Sequence, residues 1–142
     1  MKIFLKLKYD GSAYGGYQVQ KNCPTIQKML NEATASLFGC ECDITGCSRT
    51  DSGVHAECFC ATVAKKGEAG LTTSIPVEKI PQALNVRLPD DIAVFSAEWV
   101  EDSFHARYGV KEKTYIYKNI LAFIVLKIVD YAIRITLNTG NF

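Results

Sequence analysis

Near the start of the chain, apolar residues fall at every second position. Ile3, Leu5, Leu7 and Tyr9 alternate with Lys2, Lys6 and Lys8, interrupted only by Phe4. A period of two is that of an extended strand with one well-buried face. Asp10-Gly11-Ser12 ends the strand, and Gly15-Gly16 keeps the following segment a loop. From Pro24-Thr25 the period changes: Ile26, Met29, Leu30, Ala33 and Leu37 recur at helical spacing. Thr25 is suited to cap the start of that helix and Gly39 to stop it.

The stretch Ile44–Val54 is rich in Gly, Ser, Thr and Asp without an apolar period, so it is expected to be a loop. Phe59, Ala61 and Val63 then alternate with Cys58, Cys60 and Thr62, which predicts a second strand. Lys65–Ser74 is a polar, glycine-containing connection. Ile75–Leu88 predicts a second helix with Ile80, Leu84 and Val77 inward. Pro81 requires that helix to begin late or to kink, because its ring does not fit a regular interior turn. A turn at Pro89-Asp90-Asp91, a third strand at Ile92–Val100 and a fourth at Lys113–Tyr117 complete the pattern. Helices interspersed with short strands imply an α+β fold, with two helices packed on one face of a mainly antiparallel sheet.

Composition narrows the picture little. A chain of 142 residues, 48% hydrophobic and 22% charged, fits one globular domain with a core of its own. The net charge of +1 neither demands nor excludes a nucleic-acid partner, since a local basic stripe can bind phosphates on a near-neutral protein. The start has no apolar run of signal-peptide length. The most apolar run, Ile120–Leu126, is far short of the roughly 20 residues a membrane-spanning helix needs. A cytoplasmic location and no membrane association are therefore expected. The six cysteines are expected to be reduced thiols in that compartment. Two Cys-x-Cys pairs are spaced more tightly than structural zinc ligands, so no metal site is expected. Cys58 and Cys60 read instead as small residues on one strand face.

The densest polar cluster is Gly46-Cys47-Ser48-Arg49-Thr50-Asp51-Ser52-Gly53-Val54-His55. An arginine two residues from an aspartate, between glycines, can hold an ionised carboxylate at the edge of a cleft. A carboxylate so placed can serve as a nucleophile, a base or an electrostatic partner. The alternative is a turn closed by an aspartate-to-backbone hydrogen bond with an incidental arginine. On spacing alone the turn is the commoner outcome.

The run Gly-x-Ser-Arg-Thr-Asp-x-Gly-Val-His at 46–55 resembles the catalytic motif of the TruA-type tRNA pseudouridine synthases. Four further segments agree in order and separation. They are Tyr9-Asp10-Gly11-Ser12 with Gly16, Gln18 and Gln20; Ala83-Leu84-Asn85 with Leu88-Pro89 and Asp91-Ile92; Phe104-His105-Ala106-Arg107; and Lys113-x-Tyr115-x-Tyr117. Any one is weak, but five in order are specific. Ser52 and Cys47 stand where alanine is frequent in relatives, a small departure.

The resemblance implies the N-terminal, catalytic half of such an enzyme over residues 1–118, a ferredoxin-like half of the pseudouridine synthase fold. It implies isomerisation of uridine to pseudouridine in the anticodon stem-loop of tRNA, without a cofactor. Asp51 matches the essential aspartate that detaches the base, by a glycosyl ester or a glycal. Arg49 matches the residue that fills the space of the flipped nucleotide and pairs with that aspartate. Tyr115 matches the tyrosine that stacks on the target base, although an inward tyrosine is commonly just core. His105 and Arg107 lie in a segment that is near RNA in the family. Phosphate contacts suit Arg107, as they suit Lys65, Lys66 and Lys111. His55 is expected to brace the loop rather than move a proton.

After Tyr117 the match fails, and residues 119–142 read as an apolar tail outside the family's pattern. The expectation is a truncation, a frameshift or a divergent ending after about residue 118. Ile120, Phe123, Ile124, Ile128, Tyr131 and Ile135 follow a helical period, but their β-branched character equally allows a strand. The competing reading is an inactive remnant or an RNA-binding α+β module. A homodimer is left open.

Overall fold

The computed structural model describes residues 1–109, 111–117 and 131–134. Its elements are β1 (Lys2–Tyr9), α1 (Ile26–Phe38), β2 (Cys42–Gly46), β3 (His55–Lys65), a 3-10 turn (Val77–Lys79), α2 (Ile80–Asn85), β4 (Ile92–Val100), α3 (Ala106–Gly109), β5 (Thr114–Tyr117) and β6 (Tyr131–Arg134). The strands form one sheet in the order β4-β1-β3-β6-β5, with β2 also paired to β3. All pairs are antiparallel except β3 with β6. The expected α+β class with a mainly antiparallel sheet is the observed one.

The period of two in β1 has a direct structural meaning. Ile3, Leu5 and Leu7 stand opposite Val63, Ala61 and Phe59 of β3, and all six are fully buried. With Ile26, Leu30 and Ala33 of α1 and Ile80 and Leu84 of α2, they form the main core. Phe4, the one break in the alternation, is explained by the far face. Its ring meets that of Phe104 edge-on at 5.4 Å, and Lys2 Nζ donates to the Phe104 carbonyl. The segment around Phe104 thus covers a patch that alternation alone would leave to solvent.

α1 begins and ends as its caps require. Thr25 Oγ1 accepts the Lys28 amide at 3.3 Å, and Gly39 closes the helix with φ +67°, a left-handed conformation that glycine adopts without strain. The second helix is shorter than the predicted 75–88. Pro81 falls in the first turn of α2, where its missing N–H costs nothing, and the preceding residues form the 3-10 turn. Asn85 ties α2 to β4, its amide donating to the Val94 carbonyl and its carbonyl accepting the Val94 amide, both at 2.8 Å.

One reading is corrected, one element is added and one open alternative is resolved. The expected loop at 44–54 begins only after Gly46, because Cys42–Gly46 pair with Ala61–Lys65 as β2. With Ile44 its only buried residue, β2 has no legible period, and its partner strand decides its conformation. Phe104-His105-Ala106-Arg107 runs into a single helical turn, α3, that no period announced. In the tail, Tyr131–Arg134 take the strand alternative, while Ile120, Phe123, Ile124, Ile128 and Ile135 lie outside the described residues.

Along one side β3 pairs continuously with β1. Along the other it changes partner: β2 takes Ala61–Lys65, and β6 takes His55–Cys58. Between the two, Cys47 follows β2 one residue further, its amide donating to the Cys60 carbonyl at 2.8 Å and its Sγ accepting the Cys60 amide at 3.3 Å. The polar loop leaves the sheet there, on the edge where β3 lacks a continuous neighbour.

Candidate active site

The loop from Cys47 to Val54 is sewn to the loop that follows β1. A Cβ on Gly11 would lie 2.0 Å from the Val54 carbonyl oxygen, so no side chain fits there. The Gly11 amide donates to His55 Nδ1 at 3.1 Å. Gly16 sits at φ +93°, with its Cβ position 2.5 Å from the Thr50 carbonyl oxygen. Tyr17 N–H donates to that carbonyl at 3.0 Å. Ser52 Oγ donates to the Tyr14 carbonyl at 3.2 Å. Inside, the Thr50 and Tyr9 hydroxyls share a buried hydrogen bond of 2.8 Å. Two glycine-bearing loops that read separately in sequence are therefore one rigid unit in space.

Asp51 lies exposed between these anchors, as do Ser52 and Gly53 after it. Thr50 before it is drawn inward by Tyr9, and the Asp51 carbonyl accepts the Val54 amide at 3.2 Å. The carboxylate is thus presented outward from a fixed backbone, as a group that must reach a substrate atom requires.

Arg49 faces elsewhere. Among the described residues no ion pair joins it to Asp51, so their expected pairing is absent from this structure. Between them Thr50 is buried and bonded to Tyr9, while both of its neighbours are exposed. Arg49 instead lines a pocket of about 270 Å³ together with Tyr17, Gln18, Ser48, His105 and Arg107. Three of the residues singled out in the sequence, Arg49, His105 and Arg107, therefore converge. Asp51 and Tyr115 do not line this pocket.

His105 has a structural duty as well. Its Nδ1 accepts the Arg107 amide at 3.2 Å, capping α3, and its ring lies 4.5 Å from that of Tyr108. Tyr115 is on β5, opposite Ile133 of β6, and is 42% exposed, so it is not a core tyrosine.

A second cleft, of about 580 Å³, takes Lys8, Asp10, His55, Glu57, Asp90 and Asp91 among its walls. His55 Nδ1 lies 3.0 Å from Asp10 Oδ1 as well as accepting from Gly11. His55 is thus a brace between the two loops, as expected. Hydrogen bonds from Ser12, chiefly, and the neighbouring His55 hold the Asp10 carboxyl below the usual range. Tyr14 donates to Asp91 Oδ1 at 2.6 Å; burial and that carboxylate raise the phenol's pKa.

Sequence reasoning missed Tyr17. Its ring packs on Phe59 at 4.5 Å, and its hydroxyl lies under Gly46, where a Cβ would come within 2.8 Å of the oxygen. No period marks it, since it sits in a loop. Among the described residues no group of three or more His, Cys, Asp or Glu is placed to hold a metal ion. No helix there is long and apolar enough to cross a membrane.

A family model described as tRNA pseudouridine synthase matches residues 7–109. Among curated proteins, the chain is 46% identical over 115 residues to tRNA pseudouridine synthase A of a Thermoanaerobacter species, covering 81% of this chain and 45% of that protein. It is 45% identical over 116 residues to the Ruminiclostridium cellulolyticum protein of that name, covering 82% and 45%. The Aquifex aeolicus protein of the same name is 39% identical over 114 residues, covering 80% and 45%. The chain thus spans a little under half the length of these relatives. The matched residues run from the end of β1 through the Asp51 loop and both sides of the Arg49 pocket to α3, and by that match the chain belongs to the tRNA pseudouridine synthase family.

Proposed function

We propose that residues 1–118 act as the catalytic half of a tRNA pseudouridine synthase, converting uridine to pseudouridine in the anticodon stem-loop of tRNA in the cytoplasm. Residues 119–142 are a segment outside the family's pattern, although β6 within it joins the same sheet. The observation that carries this reading is Asp51, exposed on a loop whose backbone is pinned on both sides of it. An exposed carboxylate on a rigid turn suits attack on, or proton removal from, a sugar carbon that diffuses to it.

In this reading a target uridine leaves its stack, a step that costs a few kcal/mol. The Asp51 carboxylate then acts at the sugar and the glycosidic bond to nitrogen breaks. The detached base turns and rejoins the sugar through carbon 5, which frees the carboxylate; the proton on that carbon is released to solvent and the former glycosidic nitrogen takes one up. Arg49 occupies the vacated stack and Tyr115 offers an aromatic face to the base. His105 and Arg107 contact the RNA.

Release of tritium from carbon-5-labelled uridine in tRNA tests the reading. Wild-type protein should release tritium. Asp51→Asn should lose about a thousandfold or more of the rate, with tRNA affinity within about twofold of wild type, because the amide keeps the shape and loses the reactive oxygen. Substantial turnover by the Asn variant removes Asp51 from the mechanism.

A second reading, an inactive remnant or RNA-binding α+β module, is favoured by the absence of an Arg49–Asp51 ion pair among the described residues. It requires tRNA binding with no Asp51-dependent tritium release.

A further inference from the structure

We propose that Tyr9 is a positioning residue for Asp51: its buried hydroxyl, by holding Thr50, sets the direction in which the Asp51 carboxylate leaves the loop. The proposal rests on the reading of Asp51 as the reacting group, and deepens it by naming what aims that group.

The link is direct and spans much of the chain. Tyr9 ends β1 and Thr50 immediately precedes Asp51; their hydroxyls meet at 2.8 Å across 41 residues. Both are buried, at 4% and 7% exposure, while Arg49 and Asp51 on either side of Thr50 are exposed. Thr50 is held at a second point as well, its carbonyl accepting the Tyr17 amide at 3.0 Å. One such bond fixes where a residue lies but lets it swivel, whereas two anchors on different atoms fix its orientation. That orientation passes from Thr50 to Asp51 through a single planar peptide.

The tethers on the other side of Asp51 suit this task less well. The Gly53 amide reaches the Tyr14 carbonyl at 3.4 Å, and Ser52 Oγ reaches the same carbonyl at 3.2 Å. Ser52 and Gly53 are exposed, so water can stand in for those bonds at little cost. The Tyr9–Thr50 bond is buried, and removing one hydroxyl there strands the other in the interior. Burial also raises the pKa of the Tyr9 phenol, which keeps it neutral and the bond intact over the physiological range.

Tyr9 serves the core too, its ring lying 5.6 Å from that of Phe59, so the test must separate aim from stability. The 142-residue chain is assayed for tritium release from carbon-5-labelled uridine in tRNA, with thermal unfolding measured in parallel. Tyr9→Phe and Thr50→Val each keep the shape and strand one buried hydroxyl. Each should lower Tm, and lower kcat about tenfold with KM within about twofold of wild type. The double variant sets two apolar groups of matching shape together, so its Tm should return close to wild type. Its kcat should stay about tenfold down, because apolar contact is non-directional and a hydrogen bond is not. A tyrosine that only stabilised the fold would let the rate recover with Tm. The proposal is overturned if the rate recovers in the double variant, if Tyr9→Phe leaves kcat unchanged, or if the loss lies in KM alone. Unchanged kcat in these variants, beside lost tritium release in Asp51→Asn, overturns the aiming role and spares the enzymatic reading. If wild type releases no tritium, the enzymatic reading falls by itself and amide hydrogen exchange decides the positioning. The Val54 amide, bonded to the Asp51 carbonyl, should then exchange about tenfold faster in the double variant than in wild type. Equal exchange rates overturn the proposal.

Discussion

Two clefts take wall residues from opposite ends of one loop. At the His55 end is the larger, about 580 Å³, rich in carboxylates. At the Ser48–Arg49 end is the smaller, about 270 Å³, which has arginines and none. Size would favour the first as the binding site. For a polyanionic partner charge decides, because like charges raise the potential in a cleft and opposite charges attract from a distance. The acidic cleft is also mechanically engaged: Asp10 meets His55, and Tyr14 meets Asp91. Its polar groups hold the two loops together, whereas Arg49 and Arg107 form no ion pairs among the described residues. One cleft has its polar groups tied up within the fold, and the other presents arginines without ion-pair partners among the described residues.

The most damaging way to break this comparison is to pry the loops apart. Gly11→Ala places a Cβ 2.0 Å from the Val54 carbonyl oxygen, so the backbone must shift by about an ångström. The expected result is a loss of about 3 kcal/mol or more in denaturant unfolding, with tritium release down about a hundredfold. Near-wild-type stability would show that the two loops are not coupled.

Next in size is Arg49→Lys. If a planar fork is needed to fill the vacated stack, Lys should cost nearly as much as Ala, about tenfold or more in rate. Near-normal rates with Lys would mean that a point charge suffices. A smaller effect of opposite sign is expected in the other cleft. Glu57→Gln combined with Asp90→Asn should raise RNA affinity about twofold at low salt and have no effect at high salt. A loss of affinity would reverse the roles assigned to the two clefts.

The smallest effect concerns Asp10. Its folded pKa lies below the ordinary value of 3.8, so its contribution is fully present above that value and fades as pH falls through the folded pKa. Its side chain is 60% exposed, so solvent screening keeps the contribution small. Thermal unfolding of wild type and Asp10→Asn should differ slightly near pH 6 and converge at the acid end. Curves that diverge on acidification would contradict the depressed pKa.

Much of this molecule is legible in its sequence. The alternation Ile3-Leu5-Leu7 and the spacing Ile26-Leu30-Ala33 identify a strand face and a helix face, because burial on one side imposes the period of the backbone. Thr25, Gly39 and Pro81 mark ends for stereochemical reasons that do not depend on neighbours. Ordered motifs from Tyr9 to Tyr117 pointed to the family that the match over residues 7–109 shows.

What escaped depends on partners distant in the chain. β2 is a strand because β3 accepts its hydrogen bonds, and β6 is a strand between β3 and β5. Tyr17 is a buried residue because a loop folds under Gly46. Adjacent letters suggested that Arg49 grips Asp51. The Tyr9–Thr50 hydrogen bond, spanning 41 residues, holds Thr50 inward, and Arg49 lines a pocket with Arg107 instead. The sequence by itself determined the elements, their caps and the chemical groups available, since these follow from local stereochemistry and period. Only the tertiary structure decided which groups share a pocket, because that depends on contacts between segments whose separation along the chain no local pattern encodes.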